Sequence, residues 1–245
     1  MSFEIAYAQA PRTLEALSAD GVPAVAGACH YHLETLGPLE VRGEPRAGRL
    51  LLTHGAGAGQ TSPFMQHLRE ALARQGVQVW AIDFAYMQRM WREGRRRPPP
   101  RIDNLVDELA AWRAAVETLA RPADVPLWLG GKSMGGRVAS LLAAREGAPG
   151  LALCGYPFHP PGKPERTRLS HWPQLTCPVQ VLQGTRDPFG RDSEVREYAL
   201  PETARVHFLE DGDHDWKPRR RTGRDQASLI EEAAETLAAA MAPSE

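Results

Sequence analysis

Gly131-Lys132-Ser133-Met134-Gly135 is the stretch from which the rest of this 245-residue chain can be read. Ahead of it, Val125-Pro126-Leu127-Trp128-Leu129-Gly130 is a short apolar run that reads as a buried strand. Behind it, Arg137-Val138-Ala139-Ser140-Leu141-Leu142-Ala143-Ala144-Arg145 reads as an Ala/Leu helix. Strand, glycine-bounded turn and helix form the setting in which G-x-S-x-G becomes a nucleophile elbow. The turn holds the serine in a strained backbone conformation, and side chains at the flanking positions would collide with the strand and the helix. Ser133 then stands at the positive end of a helix, where developing negative charge is favoured.

Outward from the elbow, strands and helices alternate. Leu50-Leu51-Leu52-Thr53-His54 reads as a buried strand ending in the loop Gly55-Ala56-Gly57-Ala58-Gly59. Thr61 or Ser62 caps a helix to about Arg74, with Gly76 as its stop. Val77 to Phe84 is the next strand. Ala85 to Arg101, with its arginines and three consecutive prolines, reads as a loop or excursion. Asp103 is expected to cap a helix to about Leu119, closed by Pro122. After the elbow helix, strands are expected at Gly150 to Cys154, Pro178 to Gln183 and Ala204 to Leu209. A Pro-rich loop to about Pro173 follows the first of these, a short helix from Asp192 to about Tyr198 the second. A long Ala/Glu helix runs from Arg224 to Met241, and Ala242 to Glu245 reads as a frayed tail. Short loops joining such elements argue for one α/β domain over residues 1–245, a mostly parallel sheet with helices on both faces and little or no lid. Residues 1–47 are an ill-defined N-terminal extension, with a short helix from Thr13 to Ala19 and a strand from Gly37 to Val41; residues 85–102 are the Arg/Pro-rich excursion.

A serine hydroxyl is a poor nucleophile at neutral pH. It needs a base, and the base needs an orienting carboxylate. Asp187, in Gly184-Thr185-Arg186-Asp187-Pro188, follows one later strand; His214, in Asp211-Gly212-Asp213-His214-Asp215, follows the last. Ser133, then Asp187, then His214 is the chain order in which nucleophile, acid and base occur on folds with this elbow. An oxyanion hole is expected from the N–H groups of Met134, next after the nucleophile, and Ala56 in the glycine loop, with Gly55 and Gly57 beside them. The glycine loop lacks the G-x-G-x-x-G spacing of a dinucleotide site, and no P-loop ending follows it.

Five stretches together resemble one group of α/β hydrolases: Leu52 to Gly59, Gly131 to Arg137, Gly155 to Lys163, Gln183 to Gly190 and Gly212 to His214. The group is dienelactone-hydrolase-like and is related to a testis-expressed hydrolase-like protein and to a subunit of the nonspecific-lethal complex. The resemblance spans roughly residues 48–240. It implies the α/β-hydrolase fold and a triad of Ser133, Asp187 and His214, but no particular substrate. True dienelactone hydrolases use a cysteine nucleophile; Ser133 stands here, so that activity is not carried over.

These readings imply a cofactor-free serine hydrolase of a carboxylic ester or thioester, the alternative being a non-catalytic scaffold or interaction module on the same fold. His54 is expected to brace the glycine loop, His159 to line the pocket, and Lys132 to turn away from the nucleophile toward packing or a nearby carboxylate. Asp211, Asp213 and Asp215 read as solvated charge around His214, and no residue set has metal-ligand spacing. The net charge of −1 gives no pull toward nucleic acid or an anionic membrane. Three cysteines without C-x-x-C spacing, and no basic-then-apolar leader at Met1 to Ile5, point to the cytoplasm. Two basic clusters, Arg92, Arg95, Arg96, Arg97, Arg101 and Lys217, Arg219, Arg220, Arg221, Arg224, read either as solvated loops or as a pocket rim that favours an anionic small molecule.

Overall fold

The computed structural model describes Arg12, Thr13, Val25 and residues 27–243. Among these, nine strands form one sheet: β1 (Arg12–Thr13), β2 (Ala28–Leu33), β3 (Gly37–Arg42), β4 (Gly48–Thr53), β5 (Val77–Ile82), β6 (Leu127–Lys132), β7 (Leu151–Cys154), β8 (Val179–Gly184) and β9 (Ala204–Leu209). Their order across the sheet is β1-β2-β3-β5-β4-β6-β7-β8-β9. From β5 to β9 every pairing is parallel, and β3 runs antiparallel to both its neighbours.

Alternation within each strand decides what covers each face. Leu50 and Leu52 of β4 point to one side, with Val77 and Val79 of β5, against α1 (Pro63–Arg74) and α6 (Gln226–Met241). Leu51 points to the other, with Trp80 and Ile82, against α3 (Ile102–Leu119) and α4 (Met134–Glu146). Each central strand is therefore buried on both faces and mostly apolar, as buried parallel strands are, with Arg49, Gln78 and Lys132 among the buried polar exceptions. Among the described residues no helix is long and apolar enough to cross a membrane. Among the described residues no lid domain interrupts the fold; the connection after β7, residues 155–178, carries only a single 3₁₀ turn at Trp172–Gln174.

Most elements fall within two or three residues of their expected bounds, and four differ in kind. Ala85–Glu93 is not loop but a helix, α2, closed by Gly94 at φ 62°. Tyr86 and Met87 are buried on it and Met90 packs on the core, so an apolar face lies beneath the arginines that dominate the composition. Asp103 is not the cap of α3 but lies in its first turn, where its charge suits the helix dipole; Arg101 holds the cap position. Asp192–Val195, α5, is a single turn, because Glu197 and Tyr198 close it with hydrogen bonds to carbonyls three residues back. The N-terminal region supplies β2 as well as β3, a hairpin that extends the sheet. Thr13 belongs to β1, and the rest of the helix expected to Ala19 lies outside the described residues, as do Ser244 and Glu245 of the tail.

What positions the site is the approach of α4 to the end of β4. A Cβ on Gly131 would stand 2.2 Å from Thr53 Oγ1, and one on Gly135 would stand 2.4 Å from the same atom and 2.7 Å from the His54 carbonyl. Thr53 cannot yield, because its hydroxyl donates to the Gly130 carbonyl at 2.9 Å. Gly135→Ala is therefore expected to lower unfolding stability by about 1–3 kcal/mol, measured by urea titration. Unchanged stability would mean that α4 can back away from β4.

Candidate active site

Ser133 joins β6 to α4 with φ 51° and ψ −111°, a left-handed conformation that L side chains rarely adopt. Its N–H donates to the Cys154 carbonyl at 2.9 Å, which ties the turn to the end of β7. Holding a non-glycine residue there costs on the order of 1–3 kcal/mol, met by the packing around Thr53.

The expected partners come from loops at the same edge of the sheet. Ser133 Oγ lies 2.9 Å from His214 Nε2, and His214 Nδ1 lies 2.8 Å from Asp187 Oδ2. Since Asp187 Oδ2 accepts, Nδ1 carries the proton and Nε2 is left to accept from the serine hydroxyl. Asp187 is fully buried, and its other oxygen accepts the Phe189 N–H at 2.8 Å. The Phe189 ring lies against the imidazole, centroids 4.3 Å apart. The three residues thus form one hydrogen-bonded chain, open to solvent at Ser133 and His214.

The loop carrying His214 is held by its own acids. Asp213 Oδ1 accepts the N–H groups of Asp215 and Lys217, both at 2.9 Å, and Trp216 is fully buried with its ring edge-on to Phe64. Asp211 is not solvated, as its setting in an acidic run implied. It is 3% exposed, paired with Arg219 and Arg186, and those contacts hold its carboxyl well below the usual range. Among the described residues no group of three or more His, Cys, Asp or Glu side chains is placed to hold a metal ion.

On the other flank, Met134 is the first residue of α4, where an N–H has no intrahelical acceptor. Ala56 and Gly57 are exposed on the facing loop, with Gly55 half-buried. Within that loop the glycine that packing demands is Gly59, whose Cβ would stand 2.7 Å from Asp83 Oδ1. His54 is fully buried. Its Nε2 accepts the Phe84 N–H at 3.1 Å, so Nδ1 carries the hydrogen and donates to the Gly55 carbonyl at 2.7 Å. A trans peptide is planar, so holding the Gly55 carbonyl on one side turns the Ala56 N–H to the other. Tyr86 adds a second hold that the sequence did not reveal: its hydroxyl donates to the Ala56 carbonyl at 3.0 Å and lies 3.9 Å from Met134 Sδ. Burial, with Asp83 and Glu108 nearby, pushes the Tyr86 phenol up, so it stays a donor.

His159 is 2% exposed, with Nδ1 against the Pro160 carbonyl at 2.8 Å and Nε2 3.5 Å from Glu194. Lys132 turns from Ser133 toward Phe64 and Asp215. Preorganised donors opposite a hydrogen-bonded serine can stabilise an oxyanion, and a serine, histidine and carboxylate in sequence can move a proton to a leaving group.

The strand order, the elbow and the loop positions of acid and histidine define the α/β-hydrolase fold. Residues 46–242 match the family model of the alpha/beta hydrolase domain, and the chain belongs to that family. Solved structures share the fold at low identity. A lidless α/β serine hydrolase from Xanthomonas campestris is 20% identical, with TM-score 0.65, covering 91% of this chain and 99% of its own. A dienelactone hydrolase from Anabaena variabilis is 18% identical, with TM-score 0.64, covering 85% and 96%. An α/β serine hydrolase homologue from Coxiella burnetii is 18% identical, with TM-score 0.61, covering 86% and 96%. No curated protein matches the sequence.

Burial holds the His54 imidazole neutral, its proton affinity below the ordinary value near 6.5, despite Asp83. Below about pH 6.5 the unfolded chain gains a proton at His54 that the folded chain refuses, so stability is lost as the pH falls. The stability advantage of the wild type over His54→Asn should therefore shrink between about pH 7.5 and pH 5 in parallel urea titrations. A gap that stays constant would mean that His54 protonates equally well in both states.

Proposed function

We propose that this chain is a serine hydrolase that cleaves a small carboxylic ester or thioester through an acyl-Ser133 intermediate. The observation that carries the reading is the His214 ring set between Ser133 Oγ at 2.9 Å and the buried Asp187 carboxylate at 2.8 Å. His214 Nε2 takes the serine proton as Oγ attacks the carbonyl carbon. The carbonyl oxygen becomes an oxyanion facing the Ala56 and Met134 N–H groups. Collapse expels the alcohol or thiol, which receives the proton from His214. A water then repeats the sequence on the acyl-enzyme, giving the acid and restoring Ser133. Asp187 fixes the imidazole tautomer and stabilises the imidazolium. No step calls for a cofactor. Kinship with the testis-expressed and nonspecific-lethal-complex proteins rests on the sequence motifs alone. A reducing, cytoplasmic setting fits three unpaired cysteines, two of them buried.

An anionic substrate is the finer part of the proposal, and the two basic clusters are alike in free charge. In the second, Arg219 is neutralised by Asp211 and Arg224 by Glu232, while Lys217, Arg220 and Arg221 are exposed. In the first, Arg97 pairs with Glu93 and Arg101 with Asp103, while Arg92, Arg95 and Arg96 are exposed. That first cluster continues α2, the helix whose Tyr86 touches the Ala56 carbonyl, and exposed Trp91 on α2 lies beside Gly59.

Ser133→Ala should cut hydrolysis of p-nitrophenyl esters by about 10⁶-fold with the fold intact, leaving only binding and oxyanion contributions. Activity above a few per cent in the purified variant would mean that Ser133 is not the nucleophile, and a wild type that a fluorophosphonate fails to label would favour a scaffold. Asp187→Asn should cost about 10⁴-fold, because the amide favours the wrong tautomer. A comparable loss on replacing Asp192, Asp211 or Asp215 would move the acid role.

Esters bearing a free carboxylate should be preferred over neutral esters of equal length at low salt, and the preference should fade as ionic strength rises. Neutralising Arg95, Arg96 and Arg97 together should abolish it without changing kcat for neutral esters, since surface charge acts on encounter rather than bond-making. Equal kcat/KM for both ester types at low salt would make these arginines solvated loop.

A further inference from the structure

Lys132 is a lysine in an arginine chain. Of 29 basic residues only Lys132, Lys163 and Lys217 are lysines, and Lys132 is the one that is buried, at 6% exposure, immediately before the nucleophile. Its stem runs beneath the glycine loop, with Cγ 3.8 Å from where a Gly55 Cβ would stand. Its ammonium lies over the Phe64 ring, 5.4 Å from the centroid, and 3.5 Å from Asp215 Oδ1. Asp215 is the residue next after His214. The neighbours of the nucleophile and of the base are therefore joined by one ion pair.

A second observation converges on the same place. Gly155, just past β7, has φ 60°, and the point where its Cβ would stand is 3.3 Å from Lys132 Nζ, 3.3 Å from the His214 carbonyl and 3.6 Å from Asp187 Oδ2. Turn, base loop and acid loop meet over this glycine, and the ammonium is the cation among them. The charged and titratable groups around it are Asp215, Asp187 and Cys154, and burial works against its charge while the two carboxylates favour it.

We infer that Lys132 is a positioning residue of the proposed triad: its ammonium, through Asp215, fastens the His214 loop to the Ser133 turn. The inference rests on the serine-hydrolase reading. A buried ammonium is costly, and an apolar side chain of similar volume can often replace a buried ion pair without loss of stability. Phe64 offers an apolar neighbour, and Asp215, half-exposed, can be solvated when its partner is removed, so the fold tolerates loss of the cation here. Asp213 orders the 211–217 loop internally, and Thr185 and Arg186 tie it to the acid loop; apart from the His214–Ser133 hydrogen bond itself, the Lys132–Asp215 pair is what ties it to the elbow. Arginine is no substitute: its planar fork carries five donors where one carboxylate oxygen waits.

The test is the rate of fluorophosphonate labelling at Ser133, with kcat and KM for a p-nitrophenyl ester and the melting temperature, in Lys132→Met, Asp215→Asn and the double variant. Each single change should slow labelling and lower kcat roughly tenfold to a hundredfold, the range that slight misplacement of reacting groups costs. KM and melting temperature should stay close to wild type. The double variant should be no worse than the poorer single one, because each change breaks the same pair. Wild-type labelling in Lys132→Met, or losses that multiply in the double variant, would overturn the inference. If Lys132→Met does not fold, Asp215→Asn decides alone, since Asp215 is half-exposed, and wild-type labelling there overturns it equally. A wild type that does not label at all would instead overturn the hydrolase reading on which the inference rests.

Discussion

Where β4 ends, Thr53 lies so close to Gly131 and Gly135 that no side chain fits at either position. Two apolar layers press α4 and β4 together from opposite faces of the sheet, and the Thr53 hydroxyl is fastened to the Gly130 carbonyl between them. With the strand and helix held at this distance, the single residue left to turn the chain must take φ 51°, and that residue is Ser133. The strain is small beside the burial of the central strands, all of whose residues are inaccessible or nearly so. The position of Ser133 is thus set mainly by core packing several residues away.

The groups around Ser133 are set by a different device, polar side chains spent on holding loops. His54 fixes the Gly55 carbonyl, Tyr86 the Ala56 carbonyl, Asp213 the turn after His214, and Asp211 the arginines that flank that turn. Loops at the end of a parallel sheet have no strand partners for their backbone groups, and buried ones must find side-chain partners. That requirement accounts for several of the buried polar residues here, including Gln183, which donates to the carbonyls of Tyr156 and Gly190, Arg69, which donates to the Gln60 carbonyl, and Asp83, which accepts the Gln60 N–H.

The alternation of apolar strands and amphipathic helices from Arg49 onward carries the fold in the sequence, because buried parallel strands are apolar on both faces and stand out between glycine-bounded turns. Ser133, Asp187 and His214 were legible for a related reason: each follows a recognisable strand, and their order along the chain is restrictive. What the sequence hid has physical causes as well. β2 carries Cys29, His30 and His32 and alternates weakly, since only Tyr31 of its six residues is buried. The apolar face of α2 was masked by the arginines around it, and with it the role of Tyr86. Gly155 opens one of the family-like stretches, yet its importance lies in three groups from distant segments meeting over it, which no local pattern records. Asp211 looked solvated because its partners, Arg186 and Arg219, are 25 and 8 residues away.

All of these devices serve one chemical claim, that Ser133 becomes covalently acylated during turnover. Quenching the enzyme in acid within the first turnovers of p-nitrophenyl acetate, followed by peptide mass spectrometry, reads this directly. One acetyl group per chain is expected, on the peptide carrying Ser133 and localised to that residue, disappearing once substrate is exhausted. Turnover with no acetylated peptide, or with the acetyl group on another residue such as Lys132 or His214, would contradict it.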